Sequence, residues 1–242
     1  MNYAIIAAGE GSRLQQEGVA LPKPLVELNG TPMIQRLIDI FCSCNAEKIS
    51  LIVNEQMTAV QEFVRSYADV VRAREVEFEL TVKSTPSSMH SFYEVSRGFD
   101  GRKFILTTVD TIFRPEDFRP YAEAFENAPA DIDGMMAVTQ YIDDEPPLYV
   151  ETDPAMNITG FLDNRPDDAR YISGGIYALD GKALKVLGEC IEEGVSRMRN
   201  FQRALVSAGL RLKAFDMGKI LDVDHQSDIL KAEEFLNTNP KK

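Results

Sequence analysis

The chain has 242 residues, 44% hydrophobic and 26% charged, a composition ordinary for a globular protein with a sizeable buried core. Its formal net charge of −12 repels nucleic acid and anionic membrane, which argues against either as a general partner. Three cysteines make no disulfide framework, no long apolar run suggests a membrane-spanning helix, and the N-terminus lacks the basic start of a signal peptide, so a cytoplasmic location is expected by default.

In chain order, Tyr3 to Ala8 reads as a buried strand that stops at Gly9-Glu10-Gly11-Ser12, followed by Arg13 and, after a polar gap, Pro22-Lys23-Pro24-Leu25. Thr31 is expected to cap a helix with Pro32 at its first position, its apolar stripe being Met33, Ile34, Leu37, Ile38 and Phe41. Strands are expected at 48–53, 76–82 and 103–109, and helices at 56–67 and from Ser87 or Ser88 to Val95. Such alternation implies βαβ units and a largely parallel sheet, whose ligands sit beyond the carboxyl ends of the strands. Gly9 to Arg13 and Asp110 then share one edge.

The second half changes character. Segments 132–141, 147–152, 157–163 and 170–179 look like strands with short polar connections, hence antiparallel pairs beside the parallel sheet. Helices follow at 181–193 and 197–208, then strands at 210–215 and 220–223 and a closing helix at 226–237, with 239–242 as a frayed tail. The fold class is therefore α/β: a Rossmann-like mixed, mainly parallel sheet flanked by helices, with a small antiparallel subregion.

A strand that ends in glycines leaves backbone N–H groups in a concave loop suited to phosphate, and Arg13 and Lys23 add cationic donors. Gly9-x-Gly11 alone is weak. A dinucleotide fingerprint wants glycine where Leu14 stands, and a P-loop wants Gly-Lys-Ser/Thr, which is absent. Glu55 is the only nearby acid for a dinucleotide ribose, so a nicotinamide enzyme is set aside. Asp110, ending a buried strand, is costly unless it caps a turn or binds something. Asp222 and Asp224 point the same way if their stretch is extended. His225 reads as a local cap or packing residue rather than a ligand, and Asp228 as an exposed first-turn acid. Cys42-x-Cys44 reads as packing.

The combination Gly9-x-Gly11-x-Arg13-Leu14 with Pro22-Lys23-Pro24-Leu25 resembles the sugar-phosphate nucleotidyltransferase family, related to the phosphocholine cytidylyltransferases, over almost the whole chain. The resemblance implies a single domain, 1–242, with a nucleotide-binding half (1–127) and an acceptor-binding half (128–242). It implies transfer of NMP from an NTP to a phosphorylated acceptor, first a sugar 1-phosphate and next a phosphocholine-like alcohol, with release of pyrophosphate. A fold-sharing sensor or scaffold without turnover is the rival. Ala8, Gly9, Gly11, Ser12, Arg13, Lys23, Ser87 and Ser88 are the implied nucleotide-binding residues, with Arg13 and Lys23 stabilising the reacting phosphates. Mg²⁺ is the implied cofactor, held by Asp110 and by Asp222 or Asp224. The family's glycine before the first metal aspartate is Val109 here, and Asn164-Arg165-Pro166 stands for its Glu-Lys-Pro. Arg165, Gly175 and Glu151 are the acceptor-side candidates. With no long carboxyl-terminal extension, no acyltransferase-type second domain is expected. Replacing Arg13, Lys23 or Asp110 is expected to end turnover and leave the fold intact.

Overall fold

The computed structural model describes residues 1–99, 101–142, 146–166 and 170–238. In order, the elements are β1 (Asn2–Ala7), α1 (Ser12–Gln16), a 3-10 turn at Lys23–Leu25, β2 (Glu27–Leu28), β3 (Thr31–Pro32), α2 (Met33–Ser43), β4 (Lys48–Val53), α3 (Thr58–Arg72), β5 (Glu77–Val82), α4 (Ser88–Val95), β6 (Phe104–Thr108) and β7 (Thr111–Ile112). Then come α5 (Pro115–Glu126), β8 (Gly134–Thr139), β9 (Tyr149–Thr152), β10 (Ile158–Leu162), β11 (Tyr171–Leu179), α6 (Gly181–Glu192), α7 (Met198–Ser207), β12 (Leu212–Asp216), β13 (Leu221–Asp222) and α8 (Gln226–Asn237).

The parallel half of the main sheet is β5-β4-β1-β6, and β11 pairs antiparallel with β6. Beyond it, β8 pairs antiparallel with β11 and parallel with β12, while β9 and β10 branch from the start of β11. A mainly parallel sheet with an antiparallel extension is thus what the alternation of apolar runs implied.

Both faces of the sheet are covered, so its central strands are apolar on both sides. In β1 the period of two sends Tyr3, Ile5 and Ala7 into one core and Ala4 and Ile6 into the other. Helices α2, α3, α5 and α8 cover the first face, and α4, α6 and α7 the second. From α2, the stripe Met33, Ile34, Leu37, Ile38 and Phe41 is buried, each side chain contributing about 1.5–3 kcal/mol. Tyr3 stacks on Phe41 with ring centroids 4.4 Å apart and donates its hydroxyl to the Cys44 carbonyl at 2.8 Å.

Three local expectations differ from the structure. Thr31 does not cap α2: Thr31–Pro32 pairs with Glu27–Leu28 in a hairpin whose turn is Asn29-Gly30, both at positive φ, and the helix starts at Met33. Helix α3 extends to Arg72, five residues beyond the expected end. Helix α5 is an addition. Its signals are Pro115 in the first turn with Glu116 and Asp117 behind it, whereas Pro120 inside it removes one backbone donor and obscures the pattern. The tail expected at 239–242 lies outside the described residues. Among the described residues, no helix is long and apolar enough to cross a membrane.

Candidate active site

Strands β1, β4 and β6 run parallel and in register, with Ile6 facing Thr108 and Ala7 facing Val53, so the chain leaves all three at one edge. There a cleft of about 560 Å³ is lined by Ala8, Gly9, Gly11, Ser12, Arg13, Lys23, Ser87, Ser88 and Asp110, bringing together every residue expected on the nucleotide side. Asn54, immediately after β4, joins them: its amide donates to the Ala8 carbonyl at 3.3 Å, and its side-chain oxygen accepts from the Gln56 N–H at 2.9 Å. A buried polar residue right after an apolar strand was the signal available for it.

The two glycines of the loop are not equivalent. Gly11 has φ +63 and precedes α1, and a Cβ there would lie 2.7 Å from the Cβ of Lys23, so the loop closes only over a bare backbone. A Cβ on Gly9 would meet nothing within 4 Å. Ser87 occupies the N-cap position of α4, yet its hydroxyl pairs with His90 Nδ1 at 2.8 Å and caps no backbone N–H.

Lys23 is the pivot. It is 8% exposed, with Nζ 2.5 Å from Asp110 Oδ2 and 2.6 Å from Asp224 Oδ1. Burial alone would push the ammonium toward neutrality, but the two carboxylates hold its pKa above the ordinary value. Burial likewise opposes ionisation of Asp110, and the Lys23 charge prevails, holding the carboxyl below the usual range. Arg13 Nη1 lies 3.3 Å from the other oxygen of Asp224.

The acid motif after β12 reaches this point through a two-residue antiparallel ladder between β13 and β7, in which Asp222 faces Thr111 and the Val223 N–H donates to the Asp110 carbonyl at 3.1 Å. Asp222 opens onto a second, adjoining chamber, and burial of its carboxyl among neighbouring groups followed by the charges of Asp110 and Asp224 raises its pKa to about 7. His225 is the N-cap of α8, as expected. Asp228 is a correction: it is 8% exposed, and its carboxylate accepts the backbone N–H groups of Asp224 at 3.2 Å and His225 at 2.8 Å. Glu17, at the end of α1, completes this corner. One of its oxygens pairs with His225 Nδ1 at 2.6 Å and the other accepts the Gln226 N–H at 2.6 Å.

A larger chamber of about 790 Å³ adjoins the first cleft and shares Ser88, Thr108, Asp110 and Asp224 with it. Its walls include Asp222, Gly175, Tyr177, Arg197, Arg199 and Gln202. Gly175 has φ +73 within an irregular stretch of β11 opposite β8, and a Cβ on it would sit 3.2 Å from the Thr111 hydroxyl. Burial pushes the Tyr177 phenol up to about 12, so it stays protonated. Arg199 is committed to Asp163 at 2.7 Å, whereas the Arg197 guanidinium has no hydrogen bond or ion pair among the described residues. Arg197 also holds φ +72, a strained value for a residue with a side chain. Neither arginine was singled out by motif. Arg165 lies elsewhere, in a 260 Å³ recess with Arg170 and Tyr171, and Glu151 stands on β9 against Gly160, outside the walls of both chambers.

Among the described residues, no three His, Cys, Asp or Glu side chains gather so as to hold a metal alone. Mg²⁺ binds through one or two carboxylates completed by substrate phosphates and water, so a two-carboxylate set fits it. Lys23 and Arg13 already compensate Asp224, whereas Asp222 faces two other acids, the kind of charge surplus a hard divalent cation relieves.

A glycine loop, two cations and an acid pair thus lie together at the carboxyl edge of a parallel sheet, where α/β proteins hold their ligands. The chain belongs to the MobA-like NTP transferase domain family, which matches residues 3–165. It is 27% identical over 187 residues to the bifunctional protein GlmU of Geotalea daltonii, covering 74% of this chain and 38% of that one. It is 32% identical over 126 residues to the 2-aminoethylphosphonate cytidylyltransferase of Lancefieldella rimae, covering 49% and 48%. The chain thus spans about two fifths and about half of the lengths of these two relatives. In fold it is similar to a putative glucose-1-phosphate thymidylyltransferase from Bacillus anthracis, with TM-score 0.81, 20% identity and coverage of 100% and 98%. It is also similar to the inositol-1-phosphate CTP transferase from T. maritima, with TM-score 0.77, 19% identity and 98% of both chains covered.

Proposed function

We propose that the protein is a Mg²⁺-dependent nucleotidyltransferase that moves NMP from an NTP to a phosphorylated small-molecule acceptor and releases pyrophosphate. The observation that carries this reading is the junction of the two chambers at Thr108 and Asp110, beneath Lys23. A donor triphosphate fits the cleft of Ala8 to Arg13, with the base beside Ser87, Ser88 and Asn54. The phosphate of the acceptor then reaches the α-phosphorus from the larger chamber, through the shared opening.

An acceptor phosphate oxygen attacks the α-phosphorus in line, the new P–O bond forms as the α–β bridge breaks, and pyrophosphate leaves with that bridge's electron pair. The attacking oxygen is already anionic, so no protein nucleophile is required. Arg13 and Lys23 stabilise charge on the triphosphate as it reorganises. Asp110 and Asp222 would hold Mg²⁺, which supplies charge compensation on the phosphate oxygens. In the larger chamber Arg197 is the cation at hand for the acceptor phosphate, and Gly175 leaves room beside Thr111. A hexose 1-phosphate is the first acceptor class, since a chamber of 790 Å³ admits a sugar ring, and a phosphocholine-like or phosphono-alcohol compound is the second. The similar proteins include a cytidylyltransferase and a putative thymidylyltransferase, so the base is sought by screening.

The test is a pyrophosphate-release screen of four NTPs and dTTP against sugar 1-phosphates, phosphocholine and 2-aminoethylphosphonate. One pair should turn over, and Asp110→Asn should abolish that turnover with little change in thermal midpoint. Near-normal release by Asp110→Asn would remove the metal assignment, and binding of nucleotide with no release from any pair would favour the sensor reading.

A further inference from the structure

Asp224, unlike Asp110, bridges both Lys23 and Arg13. One of its carboxylate oxygens is 2.6 Å from Lys23 Nζ and the other 3.3 Å from Arg13 Nη1, so the group spans two cations from separate segments as two phosphate oxygens would. Lys23 does not need this second acid to be neutralised, because Asp110 is already 2.5 Å away. Two carboxylates therefore already meet two cations here, with Asp222 as a third acid beside them, and a triphosphate adds roughly four further negative charges near neutral pH. The acid that touches both cations is the one in the way.

Asp224 is also built to move without moving the chain. Its side chain is 31% exposed, against 9% for Lys23, and it lines both chambers. Its backbone, by contrast, is pinned: its N–H donates to Asp228, Asp228 also holds the next N–H, and Glu17 ties down His225 and Gln226. A rotation about the Asp224 side chain releases both cations and leaves β13 and Asp222 in place.

We infer that Asp224 is an internal stand-in for the triphosphate, holding Arg13 and Lys23 at the chamber junction until nucleotide takes over both cations. The inference rests on the reading that Arg13 and Lys23 serve the triphosphate. Asp224 is then a positioning residue that competes with phosphate, and Asp222 alone shares the metal with Asp110. The cost of displacing Asp224 lowers affinity for every ligand that uses both cations.

The experiment is calorimetric titration of the whole chain with sodium tripolyphosphate in chelator, free of divalent cations. Asp224→Asn should bind about tenfold more tightly than wild type, the equivalent of one partly buried ion pair. Asp222→Asn neutralises an acid of the adjoining larger chamber that touches neither cation, and should change affinity by less than about threefold. Asp224→Ser repeats the measurement if the asparagine variant is poorly folded. Equal or weaker binding by both Asp224 variants, with wild type binding, overturns this inference and leaves the functional reading standing. No binding of tripolyphosphate or of any NTP by wild type or variants overturns the triphosphate reading and this inference together.

Discussion

Asp222 stands directly opposite Thr111 in the β7–β13 ladder, so two acid motifs more than a hundred residues apart become neighbours through two residues of sheet. The Thr111 hydroxyl bonds the Asp222 carboxylate and also lies 2.8 Å from the Thr108 hydroxyl. The acid pair is therefore placed by backbone hydrogen bonds and not by a flexible loop.

That placement has a pH signature. The folded state raises the Asp222 pKa to about 7 from an ordinary 3.8, so its favourable contribution is complete below the unfolded value and is lost as pH rises through the folded one. In chelator, Asp222→Asn should match wild type in stability near pH 4 and become progressively more stable than it up to about pH 7, with the gap constant above. Thermal midpoints of both proteins across pH 4 to 8 check this. A gap that does not change with pH would show that Asp222 titrates normally.

Lys23 also balances buried charge. Its side chain is 9% exposed between two carboxylates, so Lys23→Ala strands Asp110 without its counter-ion. The expected loss is about 3 kcal/mol of stability, or roughly 6–12 °C in thermal midpoint for a chain of this size. The expectation that this change would leave the fold intact thus holds better for Arg13, whose side chain is 50% exposed and whose replacement should cost under about 1 kcal/mol. Combining Lys23→Ala with Asp110→Asn should recover part of the loss, which a double-mutant cycle by denaturant unfolding measures.

Gly175 carries a backbone conformation that side chains resist. Gly175→Ala should lose about 1–2 kcal/mol from φ +73 and the approach to Thr111, and Gly175→Val more. Because β11 forms one wall of the larger chamber, KM for the acceptor should rise while NTP binding is retained. Unchanged stability in Gly175→Val would contradict the observed φ.

Arg197 lines the larger chamber and not the smaller. Arg197→Ala should raise the acceptor KM about tenfold or more and leave the dissociation constant for NTP within about twofold, since Arg197 lines only the larger chamber. Steady-state kinetics in acceptor, with direct titration of NTP, reads both. Equal losses for both substrates would assign Arg197 to the fold.

The core strands and the glycine-loop cleft were legible in the chain because local chemistry dictates them. Short apolar runs rich in β-branched residues, such as Lys48–Val53, read as buried strands, and Gly11, Arg13 and Lys23 lie within thirteen residues of one another, so the turn that gathers them is local. Helix α5 and the Asn29-Gly30 hairpin had signals too, in Pro115 and in the turn dipeptide itself. The acceptor side was different. Whether Arg165 or Arg197 faces the larger chamber depends on how β9, β10 and β11 pair and where α7 packs, and no local pattern encodes that. The same holds for Asp222 and Asp224. An extended stretch presents both acids alike, and only the approach of Lys23 and Arg13 from the other end of the chain gives Asp224 its partners and leaves Asp222 facing acids. Local sequence settles backbone conformation and burial, while long-range pairing decides which charges meet.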